Sequence, residues 1–211
     1  MLVRPDEKVP IARLLTFLEH GERMAHDCAK AQAALAEEAG TRRFLESQSR
    51  QEGIHAVVFR GAIAWLAPKH LGDVAFLPAL EEYRSILNEE LTKGNLVETY
   101  LAEQVVLEGL GEAILTRIEQ GLAKRAAPFG QLRRTLLHQE EAHHGFGRRQ
   151  LERAIERDET DRTVLQQRAQ RYLALTDSMV CTLCDLFDSI DEDAGAWAAD
   201  VRTFLPRWLI A

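Results

Sequence analysis

Two short stretches carry the residue types from which a metal centre can be built. Gln139-Glu140-Glu141-Ala142-His143-His144-Gly145-Phe146-Gly147 lies inside one long helical pattern, and Gln51-Glu52-Gly53-Ile54-His55 lies inside another. In each, a glutamate precedes a histidine by three residues, so one helix face can present both a carboxylate and an imidazole. Two divalent ions close together need anionic ligands that bridge and share charge, which carboxylates do. Imidazole adds one neutral ligand per ion and leaves positions open for oxygen or substrate. Such an oxygen-rich, histidine-poor set suits iron or manganese better than zinc or copper. In the later stretch Glu141 and His144 are also three apart. The residues alone therefore leave two registers open, Glu140 with His143 or Glu141 with His144.

The elements that would position these pairs are helices. From Ile11 to Glu38 the pattern is helical, with Gly40 as a stop signal. Leu15, Leu18, Glu22, Ala25, Ala29 and Ala33 follow at steps of three or four, which sets Glu22 into an apolar stripe with Glu19 and His26 nearby. Thr41 can cap a second helix that runs to about Ala67 and stops at Pro68; one face reads Leu45, Gln48, Glu52, His55, Phe59 and Ala62. Residues 68–94 form a long connection holding a shorter helix, roughly Ala79 to Lys93. A connection of this length can carry the chain from one end of a bundle to the other. A third long helix runs from about Asn95 to Lys124, with Leu101, Gln104, Glu108, Gly111 and Leu115 on one face. After a break at Pro128 a fourth runs to about Arg157, with Leu132, Leu136, Glu140, His143, Gly147 and Leu151 near one face. Thr160 or Asp161 opens a fifth helix through about Phe187. An acidic turn, Asp188 to Asp193, and a last helix from near Ala194 follow, with Pro206 ending or kinking it before Trp208. No strand signal stands out. The expected fold is all-α: one domain over 1–211, made of a four-helix metal-binding bundle over 9–157 with its crossover at 68–94, and accessory C-terminal helices over 161–209.

The first two helices supply Glu22 and then Glu52-x-x-His55; the third and fourth supply Glu108 and then Glu140-x-x-His143. Each half is one helix donating a glutamate and one donating a glutamate and a histidine, the plan of bundles that hold two carboxylate-bridged metals. One Glu-x-x-His pair alone means little, because both residues are common on solvated helix faces. Here six ionisable groups fall in mid-helix on largely apolar stripes, in duplicate order. Burying four carboxylates without cations would cost several kcal/mol each.

The bulk composition bounds the rest. A chain of 211 residues can bury a substantial core, and its 46% apolar and 28% charged content is that of a globular protein. A net charge of −7 disfavours nucleic acid as a partner, although Arg42-Arg43, Arg133-Arg134 and Arg148-Arg149 are basic pairs. No apolar run is long enough to span a membrane and the first residues lack a signal-peptide core, so the expected setting is the cytoplasm. Of the cysteines, Cys181 and Cys184 have redox or zinc spacing but no second Cys-x-x-Cys; with Cys28 they read as small buried apolar residues.

Over residues 11–157 the chain resembles the ferritin-like di-iron carboxylate superfamily. Gly21-Glu22-Arg23-Met24-Ala25-His26 is similar to the first-helix motif of its aldehyde-deformylating oxygenase branch. Val106-Leu107-Glu108 falls at the matching distance from Gly94, and Glu140 to Gly147 resembles a Glu-x-x-His-x-x-Phe-Gly signature. The spacing between the third and fourth helices is longer here. The ligand plan also looks like that of tRNA-hydroxylase-like proteins, rubrerythrins and ferritins. The resemblance implies the Glu140/His143 register, Glu22 and Glu108 as single carboxylates, Glu52 and Glu140 as bridges, and His55 and His143 as terminal ligands. It implies two iron ions, or manganese with iron, and an oxygen-dependent oxidoreductase that takes O2, a small organic substrate and an external electron donor. The alternatives are iron oxidation and storage, for which the C-terminal helices suit a cage poorly, and tRNA hydroxylation, which needs a basic face. The residues after Thr160 lack the paired Cys-x-x-Cys of a rubredoxin-like tail, so a rubrerythrin-type electron chain is not expected. Trp197 and Trp208 could wall a substrate channel or pack the core, and apolar faces on the C-terminal helices would allow a homodimer.

Overall fold

The computed structural model describes residues 3–68, 74–124, 130–189 and 192–210. After a 3-10 turn at Pro5–Glu7 come α1 (Lys8–Leu35), α2 (Ala39–Leu66) and α3 (Leu77–Thr92). The long helix α4 is continuous in three segments: α-helix over Leu96–Thr99, π-helix over Tyr100–Leu107 and α-helix over Glu108–Lys124. Then follow α5 (Gly130–Glu156), α6 (Arg162–Cys181), α7 (Cys184–Ser189) and α8 (Ala194–Phe204), with a closing 3-10 turn at Arg207–Leu209. Among the described residues there is no strand.

Helices α1 and α2 pack along their length as a hairpin, joined by Ala36 to Glu38. The break falls earlier than Gly40. Ala36 and Glu38 are extended, and the Arg42 guanidinium donates to Ala36 O at 2.7 and 3.2 Å. Gly40 and Thr41 accordingly lie within α2 rather than stopping one helix and capping the next. Helices α4 and α5 form the second pair, chiefly through the π segment. The break expected at Pro128 lies outside the described residues, as do Ile190 and Asp191 of the acidic turn. Within the crossover, α3 packs on α1 and α6.

The C-terminal helices belong to the same core. One apolar cluster runs from Leu14 to Leu209 and includes Leu165, Tyr172, Met179, Phe187 and Val201. Asp161 caps α6 by accepting from Val164 N at 2.9 Å. The fifth helical pattern is cut at Thr182-Leu183, where Thr182 Oγ1 donates to Met179 O, a local bond that competes with helix propagation. Cys181 and Cys184 flank this break and are exposed, against the expectation of burial; Cys28 is buried. Trp197 packs on Phe187 with ring centroids 5.0 Å apart and donates to Glu192, and Trp208 lies under the Arg162 guanidinium. Both tryptophans pack the C-terminal elements. Among the described residues the most exposed large apolar side chains, Ile54, Val57 and Trp65, lie on α2 and not on the C-terminal helices.

The π segment bears directly on the site. All eight of its residues are buried, and the Glu108 N–H bonds back to Glu103 O, five residues away. An i to i+5 turn brings Glu103 towards the face of Glu108, which an ordinary α-helix would not do. Gly147 on α5 lets this segment approach. A Cβ there would lie 3.0 Å from the carbonyl carbon of Gln104 and inside contact distance of its Cβ.

Candidate metal centre

The six residues expected from the sequence converge between the two helix pairs. Glu22, Glu52, His55 and Glu140 offer ligand atoms within 4.8 Å of one another, and so do Glu52, Glu108, Glu140 and His143. Glu52 and Glu140 are common to both groups, and all six side chains are buried. Both imidazoles turn Nδ1 inward. His55 Nδ1 lies 3.2 Å from Glu22 Oε2, 3.0 Å from Glu52 Oε2 and 2.9 Å from Glu140 Oε1. His143 Nδ1 lies 2.7 Å from Glu52 Oε1 and 3.7 Å from Glu108 Oε1. Glu141, of the other register, is exposed beside His138, while His144 Nδ1 meets Glu112 Oε2 at 2.7 Å.

This donor set fits a pair of divalent cations. Both oxygens of Glu52, Glu140 Oε1 and His143 Nδ1 are buried without a hydrogen-bond partner among the described residues. Lone pairs that converge out of water, with no protein donor to answer them, are stable only around positive charge. The electrostatics point the same way. Burial, reinforced by Glu140, pushes the Glu22 carboxyl well above the usual range. Burial with Glu140 and Glu52 does the same to Glu108. For Glu52, burial pushes up, but the imidazoles of His143 and His55 beside it outweigh that and hold the carboxyl low. For His55, burial pushes down, but the carboxylates of Glu140, Glu22 and Glu52 outweigh it and favour imidazolium. Without metal, protons supply the positive charge that the cluster needs.

A buried amide chain adjoins the cluster. Gln48 Nε2 donates to Glu108 Oε1 at 2.7 Å, Gln104 Nε2 donates to Gln48 Oε1 at 3.3 Å and to Gln32 Oε1 at 2.6 Å, and Gln32 Nε2 donates to Thr99 Oγ1 at 3.1 Å. Glu108 is thus tied through α2 and α1 to the start of the π segment. Glu103 is fully buried, neither of its carboxylate oxygens has a hydrogen-bond partner among the described residues, and burial with the nearby Glu52 charge pushes its carboxyl well above the usual range. Sequence periodicity missed Glu103, since at 3.6 residues per turn it points away from Glu108. It also passed over Gln51 and Gln139, whose Oε1 atoms each lie 2.8 Å from a site histidine. Their signal was visible, because a glutamine precedes the glutamate in both Glu-x-x-His pairs. Two nearby candidates have other uses: Glu19 pairs with Arg60, and His26 Nδ1 meets Ser49 O at 2.6 Å.

Two of the spaces bordered by the described residues reach the cluster. A narrow one of about 40 Å³ lies between α1 and α4, lined by Phe17, Leu18, Leu107, Ile114 and Met179 and ending at Glu22, Glu108 and Glu140. A wider cleft of about 580 Å³ between α2 and α5 is lined by Phe44, Gln51, Arg134, Gln139 and His143 among others.

No protein-family model and no curated protein matches the sequence. Among solved structures, the chain is similar to one described as protein 19 with aldehyde deformylating oxidase activity, from Synechococcus. The TM-score is 0.82 at 16% identity, over 99% of this chain and 92% of that one. The fold is ferritin-like. The likeness extends through the C-terminal helices, beyond the 11–157 region that carries the sequence motifs.

Proposed function

We propose that this chain holds two iron ions at Glu22, Glu52, His55, Glu108, Glu140 and His143 and acts as an oxygen-dependent oxidoreductase on a small, largely apolar organic molecule. The observation that carries the reading is the pair of overlapping four-residue groups that share Glu52 and Glu140, with buried lone pairs left unanswered. Glu52 and Glu140 would bridge, Glu22 with His55 and Glu108 with His143 would complete each half, and manganese in place of one iron would be served by the same donors. When bound, the metal pair supplies the capacity to reduce dioxygen with electrons from an external donor. The chain itself does the rest. Gln48 orients Glu108. Phe17, Leu18, Leu107, Ile114 and Met179 keep water from the α1/α4 side and select apolar substrates. Met179, unbranched and adaptable, is suited to yield to a substrate longer than the resting space admits. No helix among the described residues is long and apolar enough to cross a membrane, and a cytoplasmic setting is part of the proposal.

The neighbour's aldehyde deformylating oxidase activity puts aldehydes first in a substrate screen. Anaerobic loading with ferrous ion, followed by an oxygen pulse monitored by Mössbauer spectroscopy, oxygen consumption and product analysis, tests the reading. Two irons per chain and oxygen uptake coupled to loss of an apolar substrate support it. Iron taken up far beyond two per chain means storage, and oxidation of tRNA alone means a different substrate class. Gly111 lines the apolar space, where an added Cβ would meet Glu140 at 3.8 Å. Gly111→Leu should therefore keep two irons and lose oxidation of the longer substrates; unchanged chain-length preference would place the substrate elsewhere.

A further inference from the structure

We propose that Gln51 and Gln139 are positioning residues for this centre, each acting on the histidine of the opposite half; the inference rests on the metal-site reading above. The two bonds cross. Gln51 stands on α2 beside His55, yet its Oε1 lies 2.8 Å from Nε2 of His143 on α5. Gln139 stands on α5 beside His143, yet its Oε1 lies 2.8 Å from Nε2 of His55 on α2.

A carbonyl oxygen can only accept, so each Nε2 carries a hydrogen and donates it. In a neutral ring that leaves the lone pair on Nδ1, the nitrogen that in both rings faces the shared carboxylates. The glutamines therefore fix which nitrogen each histidine offers to a cation, and the ring plane in which it is offered. The reverse amide orientation, NH2 towards Nε2, would put the hydrogen on Nδ1 and close it to a metal. An amide also does this without charge. A carboxylate in the same place would add negative charge to a centre that already holds four carboxylates. Because the bonds cross, any sliding of α2 against α5 would loosen both histidines together, whereas loss of one glutamine frees only the histidine it holds. Both glutamines also line the α2/α5 cleft, which sets the hydrogen-bonded edge of the centre on the opening opposite the apolar space.

The test uses the whole chain loaded with Zn(II), a diamagnetic probe, with affinity read by chelator competition and the imidazole Nε2–H protons read by NMR. The native chain should bind two zinc ions and show both protons protected from exchange. Gln51→Leu should expose the His143 proton and spare that of His55, Gln139→Leu should do the reverse, and each should weaken one of the two sites about 10- to 100-fold. Gln51→Glu, which still accepts a hydrogen bond, should restore the His143 signal. If the native chain binds two zinc ions but the leucine variants keep both protected protons and both affinities, or lose the proton of the histidine on their own helix, the crossed assignment is overturned while the metal site stands. A native chain that binds no zinc, iron or manganese overturns the site and this inference with it.

Discussion

At the scale of single residues, the site is defined by polar atoms that have no ordinary reason to be buried. Glu52 is fully buried with both oxygens unanswered, and Glu103, close by, is in the same condition. The two differ in how the conflict is resolved. Glu52 faces two imidazoles that hold it ionised, whereas Glu103 has no such partner and burial holds its proton on. That proton has a consequence for stability. Above the ordinary carboxylate range, near pH 4.3, the unfolded chain releases the Glu103 proton while the folded chain keeps it. Folding then requires proton uptake, and stability falls as pH rises until the raised folded-state value is passed. Gln keeps the shape and has no proton to lose. Glu103→Gln should thus gain stability over the native metal-free chain as pH is raised from 4 to 7.5, measured by denaturant unfolding. A stability gap that does not change with pH would show that Glu103 is ionised in the fold.

At the scale of elements, the π segment is what the sequence concealed. The 3.6-residue periodicity correctly set Gln104 and Glu108 on one helix face, and it found Glu22, Glu52 and His55 because those helices are regular α-helices. It could not register that residues 100–107 wind more loosely, since eight consecutive buried residues carry no amphipathic phase from which a change of pitch could be read. Helix ends were blurred for a related reason. Gly40 looked like a stop, but a side chain from the first turn of the next helix, Arg42, closes the α1 terminus instead. The close approach of α5 to the π segment depends on Gly147, whose missing side chain admits Gln104. Gly147→Ala must push α5 away from α4. It should destabilise the chain by about 2 kcal/mol, in the range of overpacked cores, and weaken metal binding because Glu140 and His143 ride on the same helix. Thermal unfolding and metal titration of the variant check both effects; an unshifted midpoint would mean that the helices part without loss.

At the scale of the molecule, the duplicated plan of the sequence becomes two helix pairs facing each other across a shared charge cluster, with the crossover helix and the C-terminal helices sealing one apolar core around them. This much was legible because the duplication is written in the spacing of glutamates and histidines. Which face would be apolar and exposed was not, since exposure depends on what the C-terminal helices cover: α8 lies on α4 and α6, and α2 keeps Ile54, Val57 and Trp65 in the open. A cluster of carboxylates at the seam of two helix pairs should make the fold depend on its cations. Saturation with ferrous or manganous ion at 100 times the dissociation constant should add about 2.7 kcal/mol and raise the unfolding midpoint by a few degrees. A midpoint indifferent to either metal would mean that protons alone satisfy the cluster. The most direct measurement is metal stoichiometry by elemental analysis after anaerobic ferrous loading, on the native chain and on the Glu52→Ala/Glu140→Ala double variant. Two irons per native chain and none in a folded double variant is the predicted result; equal iron in both, or none in the native chain, would contradict the shared-carboxylate centre.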